Sequence, residues 1–130
     1  MKRISWRAAA CAGMLAMAAG LAAAQAADGL EGDWTARITL KDGRQINAQM
    51  QLQSAGGTWR TLLQSPADPC VGIPIPMLWR RVDSGVYELH FQSSKALTGC
   101  RDNLVTFQQL DAGTLRGRSD AGAEIVLTRR

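Results

Sequence analysis

The sequence predicts an all-β domain, an antiparallel meander of about eight short strands that closes into a small barrel. Three observations predict it. Apolar and polar residues alternate with a period of two through most of residues 30–129, glycine-containing turns interrupt the alternation, and no stretch of useful length carries a helical period. A two-sheet β-sandwich fits the same pattern and is the alternative architecture.

The elements follow in order. Trp34, Ala36, Ile38 and Leu40 alternate with Thr35, Arg37 and Thr39 until Lys41-Asp42-Gly43-Arg44 breaks the run. Ile46, Ala48, Met50 and Leu52 interleave with Asn47, Gln49 and Gln51 up to Ser54-Ala55-Gly56-Gly57. A third strand is expected over Thr58–Gln64, and a fourth over Met77–Val82 with Asp83-Ser84-Gly85 as its turn. Tyr87, Leu89 and Phe91 form another inward row. Leu104–Leu110 is the next strand, ended by Asp111-Ala112-Gly113, and Thr114–Ser119 and Ala123–Arg129 are joined around Asp120-Ala121-Gly122. Aspartate bonds its own turn backbone and glycine supplies positive φ, so these Asp-x-Gly groups are hairpin signals with a mechanism. Only Ser93–Leu97 suggests a helical turn.

Residues 1–27 are read apart from the fold. Lys2, Arg3 and Arg7 form a basic start, an apolar and mostly alanine run extends from Ala8 to Ala24, and small residues continue to Ala27. This is the three-part pattern of a secretory signal peptide, with cleavage expected between Ala24 and Ala27 and no transmembrane span after its removal. Cys11 precedes most of the apolar run instead of ending it, which argues against a lipid-modified cysteine. Residues 28–130 then form a single domain in the periplasm or outside the cell. The whole chain carries 15 basic and 11 acidic residues, but removal of Lys2, Arg3 and Arg7 leaves 12 against 11. Such a balance lacks the clustered basic excess that nucleic-acid binding needs, so no nucleic-acid partner is expected.

Two cysteines, Cys70 and Cys100, survive in the mature region, and an exported pair reads as an intramolecular disulfide. With the single His90 they fall short of the four ligands of a structural zinc site. Asp102-Asn103 offers two oxygen-bearing side chains without the further spaced acids of a calcium loop. No phosphate-binding glycine loop is present, and neither metal nor cofactor is expected.

Leu30-Glu31-Gly32-Asp33-Trp34 (L-x-G-x-W), Gly57-Thr58-Trp59, Ile73-Pro74-Ile75, Gly85-Val86-Tyr87-Glu88-Leu89, Thr114-Leu115-Arg116-Gly117 and Leu127-Thr128-Arg129 together resemble a lipocalin-like small secreted bacterial β-barrel module. The resemblance implies that Gly32 and Trp34 close the barrel base with Arg129 over the indole, a structural role. The chain is shorter than full-length lipocalins and lacks their flanking helix, so a deep lipid pocket is not implied.

His90 falls on the strand face opposite Tyr87, Leu89 and Phe91, where it would form an exposed polar pair with Glu88. General acid–base chemistry needs a pocket and a positioned partner, and no nucleophile stands at a recognisable spacing, so an enzyme is not expected. The densest unexplained stretch is DPCVGIPIPMLW, residues 68–79. In one reading Pro74 and Pro76 hold a preorganised loop whose Val71, Ile73, Ile75, Met77 and Trp79, with Lys95 and Arg101 of the facing loop, meet a partner. In the other, the prolines protect an edge strand and the apolar residues pack across one barrel end. The sequence thus points to an exported, non-catalytic binding or envelope-associated module whose partner is a protein or small apolar ligand of the cell envelope. The alternative is a periplasmic protease or lysozyme inhibitor presenting the Cys70–Trp79 loop.

Overall fold

The structure, a computed structural model, describes residues 29–130; the segment read as a signal peptide, residues 1–27, lies outside the described residues. Eight strands form one closed antiparallel barrel: β1 (Gly32–Thr39), β2 (Gln45–Leu52), β3 (Gly56–Thr61), β4 (Ile75–Asp83), β5 (Val86–Phe91), β6 (Asn103–Asp111), β7 (Thr114–Arg118) and β8 (Glu124–Arg129). One short helix, α1 (Ser93–Ala96), precedes β6. Each strand pairs with its sequence neighbours, and β1 pairs with β8 from Trp34↔Arg129 to Thr39↔Glu124. That last ladder distinguishes the barrel from a sandwich, because it leaves no strand with a free edge.

The inward row of each strand supplies the core. Trp34, Met50, Leu52, Trp59, Met77, Tyr87, Leu89, Phe107, Leu115 and Leu127 are all buried in one cluster. Small inward residues leave room for large side chains in the same wall. Ala36 and Ala48 face each other across β1 and β2, and Gly117 lies opposite Phe107, where an added Cβ would come within 2.8 Å of the ring. Register shifts fall at Arg81/Asp83 and Gln109/Asp111, just before the β4–β5 and β6–β7 turns, where an extra residue bends the strand and raises its local twist.

Of the boundaries that differ from the expected ones, those of β3 and β4 change the reading most. β3 ends at Thr61 rather than Gln64, leaving Leu62 and Leu63 exposed at the start of a long connection, and β4 begins at Ile75 rather than Met77. The ladder Trp59↔Ile75, Thr58↔Pro76 and Gly57↔Met77 sets this register. Pro76 therefore lies inside a strand paired on both sides, and the reading of the prolines as edge protectors is corrected by closure of the barrel. Its carbonyl accepts from the Gln92 N–H at 2.9 Å, and the missing donor is tolerated near the strand's start.

Candidate functional site

In an antiparallel meander the connections alternate between two ends, and the two ends of this barrel are built differently. At the end where β1 begins, Trp34 is 1% exposed and its Nε1–H donates to the Leu30 carbonyl at 2.8 Å. The Arg129 guanidinium carbon stands 4.4 Å from the Trp34 ring centroid, and the same group donates to the Glu31 and Gly29 carbonyls. Gly32, at φ +128°, lies directly against it: a Cβ there would come within 3.0 Å of an Arg129 nitrogen. The chain entering β1 is thus tied to the end of β8 over a plugged base.

The opposite end is open. The connections 40–44, 62–74, 92–102 and 119–123 gather there, and the Cys70–Cys100 disulfide, with Cα atoms 5.7 Å apart, joins the second to the third. Gly72, at φ +85°, lets the second connection lie back on β3's continuation, since a Cβ would sit 2.5 Å from the Leu63 carbonyl. The 62–74, 92–102 and 119–123 connections frame a mouth of about 550 Å³. Its floor is Trp59, Ile75, Phe91, Val105 and Ile125, and its rim includes Asp68, Val71, Arg101 and Asp120. Trp59 meets Phe91 edge-on, with centroids 5.1 Å apart, and its Nε1–H donates to Thr61 Oγ1 of its own strand. The indole's polar atom is satisfied locally, so the floor it presents is apolar.

Two carboxylates hold the loops, Asp68 at the rim and Asp102 on the outer side. Asp68 Oδ1 accepts from the Cys70 N–H at 3.0 Å, and Asp102 Oδ1 accepts from the Ser94 N–H at 2.9 Å. That bond to Ser94 is the main cause that holds the Asp102 carboxyl below its ordinary value of 3.8, aided by the Ser94 hydroxyl, His90 and Lys95. A depressed folded-state pKa makes the tether intact above 3.8 and lost as pH falls through the lower, folded value. The Ser94 amide resonance is therefore expected to titrate with a midpoint below 3.8; a midpoint at or above it would remove Asp102 as the tether. Arg101 and Asp120, by contrast, make no intramolecular bond or ion pair among the described residues.

The residues singled out in the sequence are divided by this geometry. Ile75 (8% exposed) and Met77 (2%) face the interior, and Ile73 and Trp79 pack half-buried against the core. A ridge of Ile73, Ile75, Met77 and Trp79 turned toward a partner is thereby corrected: β4 starts early enough that the inward period claims Ile75 and Met77, and Trp79 donates to the Gln53 carbonyl at 2.7 Å. Val71, Ile75 and Arg101 do line the mouth, whereas Lys95 is exposed beside it. The expected Glu88–His90 pair is also replaced. Glu88 pairs with Arg80 at 2.8 Å across β4 and β5, and His90 Nε2 lies 3.9 Å from Asp102 Oδ2. On the outer wall Leu78, His90 and Leu104 fall in register side by side along a shallow groove. Trp59, Phe91, Val105, Ile125 and the Ser119–Ala121 turn were not recognised from the sequence as site residues. Their signal was available in topology: each inward residue nearest the end of an odd strand, or the start of an even one, falls at the same rim. No family model, curated protein or solved structure matches the chain, so its functional reading stands on the mouth itself.

Proposed function

We propose that this protein is an exported, non-catalytic, lipocalin-like barrel that binds a small apolar ligand of the cell envelope at its open mouth. The observation that carries the reading is the asymmetry of the ends: one is plugged by Trp34 and Arg129, and the other is an apolar-floored concavity of about 550 Å³ held open by a disulfide. That volume is in the range of small-molecule sites, roughly 300 to 1,000 Å³, and an apolar floor with a few polar rim groups is their usual lining. Export is supported by the basic, then apolar, then small-residue order of the first 27 residues and by a disulfide of the kind that persists in oxidising compartments. An inhibitor inserting an apolar ridge is less well supported, since the side chains that would form that ridge turn inward.

Titration with 1-anilinonaphthalene-8-sulfonate, read by dye fluorescence and by quenching of the floor tryptophan, tests the proposal. Saturable binding at one site is expected, weakened at least tenfold in Val71→Trp with an unchanged melting curve. Binding that does not saturate, or that Val71→Trp leaves intact, would contradict a ligand mouth.

A further inference from the structure

The outer face of β2 differs from an ordinary solvated strand. Its burial alternates strictly, so Gln45, Asn47, Gln49 and Gln51 all point outward between the inward Ala48, Met50 and Leu52. Four successive outward positions are amides, with no Lys, Glu or Asp among them. Solubility alone does not select this row, and asparagine is disfavoured inside strands. Among the described residues none of these amide side chains makes an intramolecular hydrogen bond.

Arginines flank the row on both sides. Register places Arg37 of β1 beside Asn47 and Arg60 of β3 beside Gln49, and neither guanidinium has an ion-pair partner among the described residues. Arg130 stands near Gln51 at the base end. The acidic groups nearby do not cancel this charge: Glu124 is turned to Arg116 at 3.7 Å, which leaves Asp33 against three arginines. Two shallow depressions, of about 600 and about 250 Å³, share Gln49 and make the strip continuous along β2.

We infer that this strip is a binding face for an extended anionic glycan. Each amide offers two donors and an acceptor, the set that sugar hydroxyls require, repeating about every 7 Å along the strand. Arg37 and Arg60 have Cα atoms about 12 Å apart from strand spacing and rise, a separation suited to carboxylates carried on different sugars of one chain. A nucleic acid fits less well. Single strands need exposed aromatic platforms, and every aromatic side chain among the described residues is buried or half-buried; a duplex would use the arginines and ignore the amides.

Affinity electrophoresis of the chain through gels containing alginate, dextran or duplex DNA decides the matter. Expected are retardation by alginate exceeding that by dextran or DNA, loss of the alginate effect in Arg37→Gln/Arg60→Gln, and at least a fivefold weakening in Asn47→Thr/Gln49→Thr. Both double variants should melt like the parent and keep dye binding at the mouth, which separates this face from that site. No retardation by alginate, equal retardation by DNA, or an amide variant that binds like the parent would overturn the inference.

Discussion

Replacing Trp34 by alanine is expected to lower the free energy of unfolding by about 3 to 5 kcal/mol, the range for deleting a large buried aromatic. For a domain whose net stability is about 5 to 15 kcal/mol, that change brings the barrel to the margin of folding. Three contributions meet at this residue. The ring fills the base; its N–H satisfies the Leu30 carbonyl; and its face receives Arg129, which in turn satisfies two carbonyls of the incoming chain. Milder substitutions separate them. Trp34→Phe keeps an aromatic face but leaves the Leu30 carbonyl without a donor, a loss of about 1 to 3 kcal/mol. A double-mutant cycle between Trp34→Leu and Arg129→Met should return a coupling of about 1 kcal/mol for the cation over the ring. Urea unfolding followed by circular dichroism measures all of these, and a loss under about 1 kcal/mol for Trp34→Ala would mean that the base is not a stability determinant.

The Cys70→Ser/Cys100→Ser variant is expected to be destabilised by roughly 3 to 4 kcal/mol, on the chain-entropy account of a closed loop of about 31 residues. The bridge also has a local task. It fastens the 62–74 connection, which makes few ladder hydrogen bonds of its own, to the loop that leads into β6. The variant should therefore lose dye binding at the mouth under conditions where its far-ultraviolet spectrum still shows a folded barrel. An unchanged unfolding midpoint would show the bridge to be dispensable, and an unchanged dye titration would show that it does not shape the mouth.

Much of this architecture is legible in the sequence because period-two alternation and Asp-x-Gly turns are local signals. Asp42, for example, bonds both the Arg44 N–H and its side chain, and Asp111 bonds the Gly113 N–H, so each turn is written in the residues that make it. The third and fourth strands were harder to delimit. Leu62 and Leu63 extend the apolar run past the last paired residue, and Pro74 and Pro76 suggest a loop where the ladder with β3 has already begun. The mouth was less legible still. Trp34 and Trp59 are both inward tryptophans; the Gly32-x-Trp34 motif points to closure of the first by Arg129, whose guanidinium lies over the ring, but nothing in the neighbours of Trp59 says that it faces an opening. That difference comes from which loops are long and which end they share.

Closure through β1 and β8 also governs how the molecule reaches this state. Arg129 joins carbonyls 98 and 100 residues earlier in the chain, so the contacts that seal the base are among the most distant the chain can make. Hairpins can form as local events, but the ring cannot, because each earlier assembly pairs β1 with β2 and leaves its other edge waiting for β8. Folding is accordingly set to be slow and to end in a single cooperative step, in keeping with the sluggish kinetics of non-local β topologies. Until that step the first strand is an adhesive edge, and the interval before β8 arrives is when this protein is most exposed to aggregation.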